Sequence, residues 1–286
     1  MKKSALYQRK RPGASRLSNK WIQSPRWFLG FWIAVGVCLI VYLANALFGQ
    51  VHPGNALGLT FGILAAVLFL AVFAYSLRRR LMRFRPGRTW YYLQVHVYGG
   101  ALFMLLVFMH SGFTVPKGVL TWWLWLLSIW VVGSGLLGIV LQKWIPMLLN
   151  SGLSIEVHYD RIPELITDLR HRAETLVKSC DYATREFYRK TLAPILATPQ
   201  TRLIYYLDVT GGIQARTEQF DYLRALLPAD EQQKLDDLQA MYKTKLEIDA
   251  HYTLQKALRW WLYLHVPVSL VLIVLLALHI FAVVYY

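Results

Sequence analysis

Five stretches of this chain are long and apolar enough to cross a lipid bilayer, and this feature limits the fold more than any other. A hydrocarbon core about 30 Å thick needs roughly 20 apolar residues in a helix. The chain is 56% hydrophobic, above the about 45–50% that is usual in soluble domains. Because a helix satisfies its own backbone groups in lipid, the sequence predicts an all-α integral membrane bundle. The predicted spans are residues 27–48, 56–77, 90–113, 120–141 and 259–285.

The net charge of +15 is spread unevenly along the chain. Residues 1–26 carry eight Lys or Arg and no acid, and residues 78–88 carry six more Arg. The loops on the opposite side hold only Lys117, and all sixteen acids lie between 143 and 259, where sixteen basic residues balance them. Since cytoplasmic loops are rich in Lys and Arg, this predicts a cytoplasmic N-terminus and a C-terminus on the other side. We therefore expect membrane lipid, and no nucleic acid, as the partner of the basic excess.

The charge pattern also predicts a mostly helical cytoplasmic insertion between the fourth and fifth spans. Pro163 stands in the first turn of a helix with apolar residues at helical spacing. Residues 202–216 are predicted to form a small hairpin around a Thr-Gly-Gly turn. A charged helix is predicted to begin at about Ala229 and to run unbroken into the last span. The four parts are a basic cytoplasmic arm (1–26), the first four transmembrane helices (27–142), a cytoplasmic docking domain (143–258) and the last transmembrane helix (259–286).

Four histidines stand in two equally spaced pairs on the third and fifth spans. His96 and His110 are fourteen residues apart, and so are His265 and His279. Fourteen residues is close to four helical turns, so each pair lies near one helix face and spans roughly 21 Å. Under the predicted topology the two spans are parallel, which puts His96 level with His265 and His110 level with His279. Ionisable residues inside a membrane are functional candidates by default.

Two other interpretations of these histidines compete with haem ligation. A single buried histidine usually does no more than hydrogen-bond a neighbour, but four in matched pairs on spans without an acid are a different case. A zinc or copper site needs three or four converging ligands, whereas these lie at two levels. The pattern favours two bis-histidine haem sites, in which His96, His110, His265 and His279 are the metal ligands. His52, His158, His171 and His251 are interpreted as solvated or interfacial.

The haems are expected to be b-type and bound without a covalent link. There is no Cys-x-x-Cys-His motif for a c-type haem. The two cysteines, Cys38 and Cys180, cannot hold an iron–sulfur cluster.

Glycines near the histidines are candidates for leaving space in which a flat cofactor fits between the helices. The letters of 133–138 match a dinucleotide-binding fingerprint, but no strand precedes them and no acid follows at the right distance. Inside a membrane helix, small residues also allow close helix contact, and this alternative stays open. The predicted cofactor-binding glycines are Gly99, Gly100, Gly135 and Gly138, and Gly58 and Gly62 are further small residues on the second span.

At these residues the chain resembles dihaem b-type membrane cytochromes, which carry two histidines at thirteen- or fourteen-residue spacing on each of two helices. Cytochrome b of bc complexes and the haem domains of ferric reductases and NADPH oxidases share this layout. Ser134-Gly-Leu-Leu-Gly138, Arg161-Ile-Pro163 and Trp261-Leu-Tyr-Leu-His-Val-Pro267 resemble a poorly characterised group of bacterial membrane cytochromes b. The chain lacks the flavin and nicotinamide domain of the oxidases and the Pro-Glu-Trp-Tyr-type quinol loop of the bc class.

The resemblance implies a four-helix haem bundle in the bacterial inner membrane, with electron transfer through two b haems. Electrons would pass between a cytoplasmic-side donor or the quinone pool and a periplasmic acceptor. The expected partners are a c-type cytochrome or an iron–sulfur or flavin subunit of a larger respiratory complex, and quinone is a candidate ligand. The alternatives are a stand-alone quinol-oxidising or metal-reducing cytochrome and a non-redox membrane docking protein.

Overall fold

The computed structural model describes residues 8–9, 25–49, 52–81, 89–153 and 155–285. Most of the predicted basic arm and the basic loop at 82–88 lie outside the described residues. As predicted, five helices are long and apolar enough to cross a membrane. These helices are α1 (Pro25–Phe48), α2 (Ala56–Leu81), α3 (Thr89–His110), α4 (Val119–Gly152) and α10 (Ala229–Tyr285).

The ends of these helices show where local chemistry overrides an apolar run. Helix α3 ends at His110, because Gly112 and Phe113 turn the chain with φ of 62° and 56°. The amide of Phe113 donates to the carbonyl of Phe108 at 2.8 Å and closes this turn. Helix α4 continues to Gly152, well past the apolar run, with Pro146 inside it. Helix α10 is continuous from Ala229, which confirms the prediction of an unbroken helix.

The described residues form two compact units. One lies within residues 17–139 and 261–286 and contains the apolar helices α1, α2 and α3 with parts of α4 and α10. The other lies within residues 140–260, together with Gln8–Arg9. We call them the membrane unit and the extramembrane unit, because all the acidic residues of the chain lie between 143 and 259.

The core of the membrane unit is built where α2 meets α3. Phe61, Ala65 and Phe69 follow one another at four-residue intervals, so they form one buried stripe on α2. The ring of Phe69 packs against Phe103 of α3 with centroids 5.1 Å apart. The same cluster takes Leu272 from α10, and partly buried residues of α4 pack against it.

Helix α1 lies at the edge of this unit. None of its apolar window is buried. Its partly buried residues Cys38 and Tyr42 pack against this core. The extensive apolar exposure of α1 is what lipid contact requires.

The extramembrane unit packs short helices around the first half of α10. Leu165, Ile166 and Leu169 of α5 are buried, which confirms the predicted helix with proline at its start. They share one hydrophobic core with Leu238 and Leu246 of α10. The further elements are β1 (Gln8–Arg9), β2 (Ile155–Glu156), a 3₁₀ turn (Tyr159–Arg161), α5 (Ile162–Val177), α6 (Tyr182–Phe187), a π-helical turn (Tyr188–Leu192), α7 (Ala193–Ala197), a 3₁₀ turn (Leu203–Tyr206), α8 (Val209–Thr217) and α9 (Gln219–Leu226). Strands β1 and β2 pair antiparallel.

The hairpin predicted at 202–216 is wrong. The structure has a 3₁₀ turn at Leu203–Tyr206 followed by α8. Asp208 precedes α8, and its carboxylate accepts from the amide of Gly211 at 2.8 Å. This side-chain cap satisfies a free amide of the first turn, so the Thr-Gly-Gly segment starts a helix instead of reversing the chain.

A buried ion pair fixes the loop before that 3₁₀ turn to α10. The ammonium of Lys245 lies 2.7 Å from both carboxylate oxygens of Asp249, and both side chains are fully buried. Burial lowers the pKa of Lys245 and raises the pKa of Asp249, and the attraction between the two charges opposes both shifts. The carboxylate of Asp249 also accepts from the amide of Gln200 at 2.9 Å. Because a buried charge left unpaired is costly, this loop is held firmly against the helix.

Candidate functional site

The structure brings the four histidines of the membrane unit together as two pairs. The ring centroids of His96 and His265 lie 6.3 Å apart, with 71° between the ring planes. The centroids of His110 and His279 lie 6.4 Å apart, with 73° between the planes. Since the first histidine of each helix pairs with the first of the other, α3 and α10 run parallel here. We call the two sites the 96/265 pair and the 110/279 pair.

Helices α2 and α4 orient the imidazoles of the 96/265 pair. The Nδ1 atom of His265 lies 2.8 Å from the hydroxyl oxygen of Ser134. That hydroxyl donates to the carbonyl of Val131 at 3.1 Å, so it accepts from the His265 N–H. The Nδ1 atom of His96 lies 3.3 Å from the carbonyl of Val72, which can only accept. Both rings therefore carry their proton on Nδ1, and Nε2 is the unprotonated nitrogen.

An indole stacks on the same histidine. The ring of Trp261 lies 5.6 Å from that of His265, with 25° between the planes. Its N–H donates to the carbonyl of Ser134 at 2.7 Å. The absence of a side chain at Gly138 makes room for this indole, since a Cβ there would collide with it. Gly135 faces His265 itself, because a Cβ would lie 3.6 Å from the ring.

The 110/279 pair is held mainly from the start of α2. The Nδ1 atom of His110 lies 2.8 Å from the carbonyl of Gly58, so this ring is also protonated on Nδ1. The side chain of Asn55 accepts from the amide of Gly58 at 2.7 Å and so fixes the first turn of α2. A Cβ on Gly62 would lie 2.8 Å from the His110 ring, so only glycine leaves this ring its place. Within the part of the chain that the structure describes, His279 is half-buried and has no hydrogen-bond partner.

The other two predicted glycines, Gly99 and Gly100, lie on α3. A Cβ on Gly99 would lie 2.9 Å from Val72, so this glycine permits the close approach of α2 to α3. A Cβ on Gly100 would meet nothing within 4 Å. The side chains of Val72 and Trp261 fill the space beside Gly99 and Gly138, and clearance for a flat cofactor stays a prediction for all four glycines.

The remaining histidines lie outside these pairs. His52, His158 and His171 are exposed, as expected. His251 is not solvated: it is buried in the extramembrane unit, where its Nε2 atom lies 2.9 Å from the carbonyl of Ile155.

Two imidazoles with ring centroids 6.3 or 6.4 Å apart could together hold one metal ion. Among the residues that the structure describes, no three His, Cys, Asp or Glu side chains converge as a metal site. In three of the rings Nδ1 faces an acceptor on α2 or α4, so Nε2 is the nitrogen that would bind a metal.

Sequence reasoning did not identify the groups that hold these rings. The sequence gives Ser134 no role beyond its place in Ser134-Gly-Leu-Leu-Gly138, and Gly62 none beyond that of a small residue on α2. The signal for Ser134 is a hydroxyl next to glycine in an otherwise apolar span, where a polar side chain needs a partner. The backbone acceptors, the carbonyls of Val72 and Gly58, carry no sequence signal at all. No protein-family model, curated protein or solved structure matches this chain.

Proposed function

We propose that this protein carries electrons across a membrane through two b-type haems, one held by the 96/265 pair and one by the 110/279 pair. The observation that supports the proposal is the near-identical separation of the two pairs, 6.3 and 6.4 Å between ring centroids. Two unrelated histidine contacts would have no reason to share this value.

The separation fits one metal ion between each pair of rings. A first-row metal binds an imidazole nitrogen at about 2.0 Å, and the ring centroid lies about 1.1 Å behind that nitrogen, so two rings on opposite sides of one ion would have centroids about 6.2 Å apart. A direct N–H···N hydrogen bond, with its nitrogens about 2.9 Å apart, would bring the centroids to about 5.1 Å. The observed 6.3 and 6.4 Å match the first arrangement.

The neighbours of the rings supply what a haem ligand needs. A ligating histidine donates its second N–H to a fixed acceptor, which sets the tautomer and makes the ligand more basic. The acceptors here are the Ser134 hydroxyl and the carbonyls of Val72 and Gly58. A haem held by His96 and His265, and another held by His110 and His279, would supply reversible one-electron chemistry.

The two levels would let electrons cross the bilayer from one site to the other. The pairs are fourteen residues apart along both helices, about 21 Å at 1.5 Å per residue. That distance covers most of a hydrocarbon core about 30 Å thick. Between the levels, α3 and α2 pack through apolar side chains such as Phe69 and Phe103, which exclude water and ions.

The charge pattern supplies the orientation in this proposal. The N-terminus and the extramembrane unit lie in the cytoplasm of a bacterium, and the C-terminus lies in the periplasm. His265 lies five residues after the extramembrane unit ends at Trp260, so the 96/265 site would receive electrons from a cytoplasmic-side donor or from the quinone pool. The 110/279 pair passes them to a periplasmic acceptor. The extramembrane unit docks another subunit of a redox complex.

Electron transfer in sealed vesicles tests the function. The full chain is reconstituted with ferricyanide trapped inside and a membrane-impermeant reduced quinone sulfonate outside. We expect ferricyanide to be consumed with wild-type protein and with His158→Ala, a control that changes an exposed histidine outside the spans. In His279→Ala we expect transfer to stop while the haem of the 96/265 pair still gives its spectrum. Undiminished transfer by His279→Ala would refute the proposal.

A further inference from the structure

The extramembrane unit carries an apolar projection on its 3₁₀ turn. Leu203 is 78% exposed and Leu207 is 77% exposed. Ile204 beside them is also exposed, whereas Tyr205 in the same turn is completely buried. The turn therefore uses one aromatic side chain as an internal anchor and presents three aliphatic ones outward. Aliphatic groups exposed together on a charged unit indicate a binding surface.

The contacts of this segment place it on one stretch of α10. The amide of Arg202 donates to the hydroxyl of Thr253 at 3.2 Å, and the hydroxyl of Tyr206 donates to the carbonyl of Thr253 at 3.1 Å. The ammonium of Lys256 lies 3.4 Å from the hydroxyl of Thr201. The segment at 201–207 is thus docked on α10 at residues 253–256.

The rise per residue of helix α10 gives the distance from this segment to the start of the last span. Trp260, which is exposed, begins the aromatic and apolar run of the last span, and tryptophan marks the membrane interface. Thr253 and Lys256 lie seven and four residues before it, about 10 and 6 Å along the axis. The headgroup layer extends about 5–8 Å beyond the hydrocarbon on each side. The apolar projection is therefore within reach of the bilayer surface.

Two other exposed apolar residues of the same unit lie far from that level. Tyr222 and Leu226 are on α9. Arg224 between them is paired with Asp236 of α10, which is 24 residues before Trp260, about 36 Å along the helix axis. Exposure alone does not distinguish the two groups, but the distance to the interface does.

We propose that Leu203, Ile204 and Leu207 insert into the headgroup layer of the bilayer and anchor the extramembrane unit to the membrane surface. Apolar side chains at an interface insert to a depth of about 5–10 Å, beside cations that contact lipid phosphate. Lys256, at the same level of α10, supplies such a cation. The anchor is independent of haem binding, since none of these residues belongs to the imidazole pairs.

Spin-label depth measurements on the full chain in lipid nanodiscs test this anchor. Single cysteines replace Leu203, Leu207, Tyr222 or Leu226 in a chain that also carries Cys38→Ala and Cys180→Ala. We expect labels at 203 and 207 to collide more with oxygen, which partitions into lipid, than with a water-soluble nickel chelate. Labels at 222 and 226 are expected to show the reverse ratio.

Equal chelate accessibility at all four sites would overturn the proposal and would leave the projection as a surface for solvent or for a protein partner. Each labelled chain is first compared with the unlabelled chain by circular dichroism. Ile204→Cys replaces either of the two sites in the 3₁₀ segment if a labelled variant does not fold.

Discussion

The two imidazole pairs have nearly the same separation and tilt, yet the rest of the molecule holds them differently. In the 96/265 pair both rings have a hydrogen-bond acceptor, and Trp261 stacks on His265. In the 110/279 pair only His110 has one, and its ring occupies the space left by Gly62. Helix periodicity sets where the rings meet, whereas neighbours on α2 and α4 set how firmly each ring is held. The two sites should therefore respond separately to substitutions around them.

Gly62→Ala is expected to produce the largest difference in haem content between the two sites. The new Cβ would lie 2.8 Å from the His110 ring, closer than such contacts allow. The ring must move, and we expect most of the haem of the 110/279 pair to be lost while the other haem stays. Haem content and reduced-minus-oxidised spectra of purified protein measure this. Gly36→Ala on α1 is the matched control, because its Cβ would meet nothing within 4 Å; equal haem loss in both variants would contradict the assigned role of Gly62.

Ser134→Ala is expected to weaken haem binding at the 96/265 pair, with a smaller effect than that of Gly62→Ala at the 110/279 pair. It removes the acceptor for His265 Nδ1 and leaves the ligand in place. Loss of such a supporting hydrogen bond typically lowers metal affinity about 10- to 100-fold, so we expect weakened haem retention at the 96/265 pair alone. Haem transfer to a scavenger protein gives the rate. Ser128→Ala is the control, since Ser128 lies on the same helix and its hydroxyl donates to the backbone carbonyl of Leu124. Rescue by Ser134→Thr would distinguish the hydroxyl from a packing effect.

The smallest predicted difference is between the two native sites. His96→Ala leaves only the 110/279 pair intact, and His110→Ala leaves only the 96/265 pair. Because His279 has no acceptor among the described residues, we expect haem to leave the 110/279 site about tenfold faster, at the lower end of what one supporting hydrogen bond contributes. Dissociation rates of the two variants in the same detergent give the comparison. Faster loss from the 96/265 site would mean that the hydrogen bonds do not govern retention.

The sequence predicted the helices and the histidine pairs because both follow from periodicity. Apolar length defined the five spans, and the fourteen-residue spacing on parallel helices brought His96 to His265 and His110 to His279. The sequence did not predict which side chain each glycine contacts, because a glycine in an apolar helix carries no signal of its neighbour.

Elsewhere, local side-chain chemistry determined the outcome. Gly138 leaves space for Trp261, and Gly99 leaves space for Val72. The spacing of these residues in the sequence does not predict either contact. The predicted hairpin failed because one carboxylate, that of Asp208, caps a helix. His251 is buried because its ring has a backbone acceptor in the carbonyl of Ile155, which is distant in sequence.

Counting haem in the purified full-length chain tests the central claim most directly. The pyridine haemochrome spectrum identifies the haem type, and its intensity divided by the protein concentration gives the stoichiometry. We predict two b-type haems per chain in the wild type, one in His265→Ala and one in His279→Ala. A folded wild-type protein without haem, or two haems retained in either variant, would contradict the assignment of the four histidines.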